Sequence, residues 1–215
     1  MRSEYDSIGE SGLRFFGKVS ASIAHELKNV LAIINENAGL LEDLTFAAQK
    51  GAAIDPERLG KACGQFNKQI HRADSIVKNM SYFAHSVDQF ESQVNLHELA
   101  VLVGNLAGRL AAMRKLTIVV EPPATPVIIK SNPFLLQNLV WLCLEFTFGA
   151  TSAGGTLRLM AGKHDGCMSL RIAGIDGLTE GFATQMPAGS VELLDAIGAR
   201  LAADINTKEL TLVLT

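Results

Sequence analysis

Cysteine is scarce in this sequence, and it has no basic run. Three cysteines, Cys63, Cys143 and Cys167, are spread widely over the 215 residues. An odd number at such spacing indicates neither a disulfide framework nor a zinc site, so we expect thiols that stay reduced in a reducing compartment. Lys and Arg number 19 against 22 Asp and Glu, a net charge of −3. Without a basic patch to neutralise phosphates, nucleic-acid binding is not expected.

The sequence also lacks a long apolar run. Its most apolar stretch, residues 135–150, is interrupted by polar side chains and is too short to span a bilayer. The first ten residues are polar and acidic, unlike a signal peptide. We therefore expect a cytoplasmic protein without a membrane partner. A hydrophobic content of 48% is enough for a proper core, and the length fits a helical module followed by a compact α/β domain.

Two long amphipathic helices are predicted first. Gly51 and the pair Asp55-Pro56 mark the end of one helix and the start of the next, which should stop near Asp88. The apolar seam of the first helix comprises Phe16, Val19, Ile23, Leu27, Val30, Ile34 and Leu41. The seam of the second comprises Leu59, Cys63, Phe66, Ile70, Ala73, Val77, Met80, Ala84 and Val87, which is typical of a coiled coil.

Two helices with one seam each cannot shield both seams by themselves. A four-helix bundle can, and a second copy of the chain is the simplest source of two more helices. The sequence therefore predicts a homodimer whose bundle is built from about residues 12–88.

From Asn95 onward the pattern changes to a mixture of helices and strands. Helices are predicted over 96–113, 132–148 and 191–203, and strands over 116–121, 156–161, 168–173 and 210–214. Gly162 and His164-Asp165-Gly166 indicate a hairpin between the middle two strands. The predicted fold class is α+β: a helical hairpin in a dimeric four-helix bundle (residues 1–92), followed by a small α/β sandwich (residues 93–215).

His25 is the first candidate for chemistry. On a helical wheel it lies about 180° from the apolar seam, among Ala21, Asn29 and Ala32, so it should face solvent. Histidine titrates near neutral pH, so much of an exposed imidazole is free base and can act as a nucleophile. From the wheel alone, an ordinary surface histidine is the favoured interpretation.

The context of His25 carries a family resemblance. The run His25-Glu26-Leu27-Lys28-Asn29 in an amphipathic helix resembles the H-box of sensor histidine kinases. Residues 71–84 resemble the second half of that family's dimerisation and histidine-phosphotransfer domain. The resemblance covers Gly12 to Asp88 well and the rest more faintly. The family usually has Asn-Pro where this chain has Asn29-Val30.

The resemblance implies roles for three residues. His25 would accept a phosphoryl group, and Glu26 would accept a hydrogen bond from the imidazole and hold its reactive tautomer. Asn29 corresponds to a position that, in matching families, orients the water that hydrolyses an aspartyl phosphate. A merely solvated helix face remains the alternative for Glu26 and Asn29. A zinc-protease motif is excluded, because Asn29 stands where the second histidine would be.

The second domain resembles the family's ATP-binding domain but lacks its site residues. In the matching register, Glu145 stands where the principal magnesium-holding asparagine belongs, and Trp141 where an accompanying one often lies. Gly174 occupies the place of the aspartate that reads adenine, and Asp176-Gly177 is interpreted as a turn.

The glycine-rich phosphate loop is reduced to Gly189-Ser190-Val191-Glu192. Glu192 would repel a phosphate tail, and a lost loop offers no run of backbone N–H groups to cradle one. Hence no cofactor is expected on this chain.

Four functions remain open at this point. The favoured one is a phosphotransfer protein that passes a phosphoryl group between response-regulator receiver domains through His25, with magnesium on the partner receiver. The others are a response-regulator phosphatase that uses Glu26 and Asn29, a pseudokinase scaffold that carries no phosphate, and, least favoured, a divergent ATP-dependent kinase.

Overall fold

The computed structural model describes residues 4–164, 166–187 and 189–214, without the side chains of residues 4–6 and 164. In chain order its elements are α1 (Glu4–Gln49), α2 (Pro56–His85), β1 (Ser92–Asn95), α3 (Leu96–Met113), β2 (Thr117–Glu121), β3 (Ile128–Ser131), α4 (Pro133–Gly149), β4 (Thr156–His164), β5 (Cys167–Ala173), a 3-10 helix (Phe182–Gln185), α5 (Ser190–Ile197), β6 (Ala199–Asp204) and β7 (Glu209–Leu214). Within these described ranges, no helix is both long enough and apolar enough to cross a membrane.

The turn between α1 and α2 follows the sequence signals. Gly51 adopts φ +91°, a left-handed conformation that glycine adopts without strain. The Asp55 carboxylate accepts a hydrogen bond from the backbone N–H of Glu57 at 2.9 Å, and Pro56 is the first helical residue. The predicted boundaries between the two helices are confirmed.

The chain forms two compact units. One is the hairpin unit, residues 20–81; the other, the α/β unit, combines the residues up to Val19 with those from Tyr82 onward. The predicted boundary at residues 92–93 differs from this division, because Phe15 of α1 packs in the α/β unit, against Phe134 and Trp141 of α4 at ring distances of 5.6 and 5.5 Å.

In the hairpin unit, α2 carries two adjoining faces. Ala62, Gln69 and Ile76, seven residues apart, are buried and form one face. The predicted seam forms the other: Leu59, Ile70, Val77 and Met80 are 43 to 55% exposed. A single hairpin therefore buries the first face of α2 and leaves the seam exposed to solvent.

The α/β unit is built on a mixed five-stranded sheet in the order β2-β4-β5-β7-β6. β2 runs parallel to β4, and the other neighbours are antiparallel. β1 and β3 form a separate antiparallel pair. The α+β fold class is thereby confirmed. Helix α4 is apolar on almost all sides, and its fully buried side chains include Leu136, Leu139, Trp141 and Leu144.

The predicted helix over residues 191–203 is wrong in its second half. Helix α5 ends at Ile197, where Gly198 adopts φ +64° and donates its N–H to carbonyls of the last turn. Residues 199–204 form β6, which pairs with β7. The burial of β6 side chains then alternates, as a strand requires.

Other details of the α/β unit also differ from expectation. Gly162 lies inside β4 and pairs with Ser169, so it takes no part in the hairpin turn. The turn lies where His164 pairs with Cys167, and the predicted turn residue Asp165 is outside the described residues. The short strands β1 and β3 and the 3-10 helix were not predicted.

Candidate functional site

His25 lies on the exposed surface of α1, in the hairpin unit. Ala21, Lys28, Asn29 and Ala32, its neighbours on the same side of the helix, are exposed as well. Two of the four are alanines, so little side-chain bulk surrounds the imidazole. A second protein can approach the ring closely.

Glu26 makes a contact that the sequence does not indicate. Its carboxylate lies 3.7 Å from the guanidinium of Arg72 on α2. The expected hydrogen bond from the His25 ring to Glu26 stays a prediction. Asn29 is exposed one turn beyond His25. The three predicted residues thus share one stretch of α1, and Arg72 joins them from the second helix.

A cleft of about 890 Å³ opens in the α/β unit. The first turns of α1, one side of α4, and the segment from the 3-10 helix to α5 line it. Its walls combine four aromatic rings with ionised side chains: Phe15, Trp141, Phe146, Phe182, Glu10, Arg14, Lys18, Glu145 and Glu192. Three of the positions that the sequence resemblance assigned to a nucleotide site line this cleft: Trp141, Glu145 and Glu192.

An ion pair occupies the place expected to hold magnesium. Lys18 Nζ lies 2.6 and 2.7 Å from the two carboxylate oxygens of Glu145. The ammonium fills the space beside the carboxylate, where a cation would otherwise bind. Sequence reasoning identified Glu145 but missed Lys18, because the two residues are 127 positions apart.

Asn138 and Trp141 form the buried side of the cleft. Asn138 is fully buried and donates a hydrogen bond from Nδ2 to the Ser11 hydroxyl at 3.1 Å. Trp141 is 1% exposed, and its indole N–H has no partner among the described residues. Asn138 was visible in the sequence as a polar residue in an apolar helix, but its partner Ser11 was not.

Gly174 cannot be replaced by an aspartate without a shift of the backbone. It adopts φ +92°, and a Cβ built there would collide with the carbonyl oxygen of Thr156.

The following pair, Asp176-Gly177, closes the end of α4. Asp176 accepts a hydrogen bond from the Ser152 N–H at 2.9 Å, and Gly177 donates its N–H to the Ala150 carbonyl at 2.8 Å. Hydrogen bonds from Ser152 hold the pKa of the Asp176 carboxyl below its usual value. These bonds agree with the interpretation of the pair as a turn.

The remnant of the phosphate loop faces α1. A Cβ at Gly189 would lie 3.3 Å from that of Ser11, so the two backbones approach closely. The Ser7 hydroxyl donates to Glu192 at 2.9 Å. Hydrogen bonds from its own backbone N–H and from Ser7 hold the pKa of Glu192 below its usual value, which keeps the carboxylate ionised in the cleft.

These residues do not fit Mg·ATP. In the register of the sequence resemblance, a carboxylate paired with lysine stands at the place of the metal-holding amide, and glycine stands at the place of the adenine-reading carboxylate. In the same register, an ionised Glu192 stands where phosphates would lie. Within the described part of the chain there is also no group of three or more His, Cys, Asp or Glu side chains that could hold a metal.

Comparison with known proteins gives structural neighbours only. No protein-family model and no curated protein matches the sequence. The chain is similar to the histidine kinase AdeS of Acinetobacter baumannii, with 14% identity, a TM-score of 0.48, and 89% of this chain and 97% of that one covered. It is also similar to a bacterial phosphotransferase, with 16% identity, a TM-score of 0.47, and 94% and 96% covered.

A third neighbour is the cytoplasmic segment of the histidine kinase QseC, with 13% identity, a TM-score of 0.43, and 68% of this chain and 94% of that one covered. Two of the three, AdeS and QseC, are histidine kinases by name. The fold assignment itself rests on the sheet order and strand register described above.

Proposed function

We propose that this chain is a histidine phosphotransfer protein of a two-component phosphorelay. In this proposal His25 takes a phosphoryl group from the aspartate of one response-regulator receiver domain and passes it to another, and the chain binds no ATP. The observation that carries the proposal is an exposed His25, flanked by small side chains, in a chain whose cleft does not fit Mg·ATP.

The transfer step needs only groups that His25 and the receiver supply. The lone pair of the unprotonated ring nitrogen attacks phosphorus, and an N–P bond forms. The P–O bond of the aspartyl phosphate breaks, and the aspartate leaves as a carboxylate, whose charge magnesium on the receiver would stabilise. The proton on the other ring nitrogen becomes more acidic and passes to water or to Glu26. The reverse sequence delivers the group to the next receiver.

We also propose that the chain acts as a homodimer. The open face of α2, formed by Leu59, Ile70, Val77 and Met80, is apolar and runs for about three heptads in the hairpin unit. A second copy of the hairpin would supply a matching face and complete a four-helix bundle.

The test uses a panel of receiver domains, each labelled on its aspartate with radioactive acetyl phosphate. Label is expected to move from at least one receiver to this chain in an acid-labile, base-stable form. His25→Ala and His25→Gln should abolish the transfer, since neither side chain is a useful nucleophile. His71→Ala is the matched control, because His71 is exposed on α2 without the same context, and it should transfer normally.

Other outcomes distinguish the alternatives. Label released as free phosphate, with none on the chain, and slowed by Asn29→Ala would establish the phosphatase instead. Receivers that bind without losing label would establish the scaffold. Label that reaches the His25→Ala variant would show that the acceptor is misassigned.

A further inference from the structure

The contact between Arg72 and Glu26 connects the candidate acceptor to the second helix. Arg72 Nη2 lies 3.7 Å from Glu26 Oε2, within the hairpin unit. The Glu26 side chain is 22% exposed and the Arg72 side chain 47% exposed. By contrast, the pairs Lys61–Glu57 and Lys78–Asp74 each join two residues of α2 one turn apart.

We infer that Arg72 is a positioning residue for His25 that acts through Glu26. The inference rests on the proposed phosphotransfer function and deepens it. Neighbouring residues of a helix point about 100° apart, so Glu26 is turned away from the direction of His25. Its long side chain would sample several rotamers if it were free, and the guanidinium restricts that choice.

The charge of Arg72 also matters for the phosphorylated state. A phosphoryl group on His25 brings up to two negative charges next to the Glu26 carboxylate. Without a nearby positive charge, the Glu26 carboxylate would repel both the incoming aspartyl phosphate and the phosphohistidine. Arg72 offsets the charge of Glu26 and leaves its oxygens available to the ring proton. Glu26 can then orient the imidazole without opposing the arrival of phosphate.

The first experiment compares transfer rates of Arg72→Ala, Glu26→Gln and the double variant. Arg72→Ala should slow label transfer to His25 about threefold to fivefold, the range of a half-exposed ion pair. In the Glu26→Gln background the same change should have no further effect, because the residue through which Arg72 acts has lost its charge. Arg72→Lys should recover part of the rate. Lys61→Ala removes one positive charge from an earlier turn of α2, and it should accept label at the wild-type rate.

A second readout requires no partner protein. The ring-nitrogen chemical shifts of His25, measured on the neutral ring, give the ratio of its two tautomers. Arg72→Ala should change this ratio, and Arg72→Lys should change it less. An unchanged ratio, or a loss of rate that is the same with and without Glu26, would overturn the inference.

The two proposals fail in different ways. If the wild type accepts no label from any receiver, the phosphotransfer function is refuted, while the tautomer ratio still reports whether Arg72 acts on His25. If the wild type transfers and Arg72→Ala does so equally fast, only the role of Arg72 is refuted.

Discussion

At Glu192, hydrogen bonds from its own backbone N–H, from the Ser7 hydroxyl and from the backbone of Gly189 favour the ionised carboxylate in the cleft. They hold its pKa below the ordinary glutamate value of about 4.3, so the group is more acidic in the folded chain than in the unfolded one. The stabilisation from this contact is therefore fully present above that ordinary pKa. It is lost on acidification, as the pH falls through the lower folded-state pKa.

Ser7→Ala should raise the pKa of Glu192 toward the ordinary value without fully restoring it. The hydrogen bonds from the backbone of Glu192, which are the largest cause, and from the backbone of Gly189 remain in the variant. The measurement is an NMR titration of the Glu192 side chain. Thr184→Ala removes a hydroxyl that bonds to the Gly181 carbonyl, and it should leave the titration unchanged. If Ser7→Ala leaves the pKa of Glu192 unaltered, the hydroxyl does not donate to this carboxylate in solution.

Single residues of the site differ in how well the sequence reveals them. The exposure of His25 could be predicted, because helical periodicity fixes which side of an amphipathic helix faces the core. Lys18, Ser11 and Arg72 could not, because their partners lie far away in the chain and the contact depends on the tertiary fold. Their significance appears only when the side chains are placed in space.

Helix α2 shows how two faces of one element respond differently to the same substitution. Ile70→Asp should dissociate the proposed homodimer and leave the single hairpin folded, because Ile70 is 55% exposed there. Ile76 is 8% exposed, so Ile76→Asp buries an unpaired charge and should unfold the hairpin itself.

Light scattering gives the mass of each variant, and circular dichroism gives its helix content. A wild type that is monomeric at micromolar concentration would contradict the dimer. A dimeric Ile70→Asp variant would place the interface on another face.

Helices and strands could be predicted where the sequence pattern that determines them is local. Glycine and proline mark the turn between α1 and α2, and a strong apolar pattern marks α3 and α4. The sequence predicts helix as far as residue 203, and the alanines at its end favour helix locally, but pairing with β7 makes residues 199–204 a strand. β1 and β3 have four residues each and pair across more than thirty residues of chain, which a local pattern does not reveal.

The whole molecule should not bind Mg·ATP. Lys18 of α1, Glu145 of α4 and Glu192 of α5 line the cleft, and they do not fit the nucleotide. Calorimetry is expected to show no saturable heat. The double variant Lys18→Ala with Glu145→Asn removes the ion pair and restores the amide, and it should still not bind. Gly174 and Glu192 remain in it: the first supplies no carboxylate to read adenine, and the second keeps a negative charge in the cleft. Micromolar binding by the wild type, or autophosphorylation from labelled ATP, would establish a divergent kinase instead.

The burial of Trp141 gives the molecule an intrinsic spectroscopic signal. It is the single tryptophan of the sequence, 1% exposed, with the Phe15 ring of α1 at 5.5 Å. Its emission should therefore be blue-shifted relative to an indole in water. A red shift would report that the first turns of α1 have left the cleft, without any attached dye. The protein can thus be monitored continuously by its own fluorescence while receivers are added.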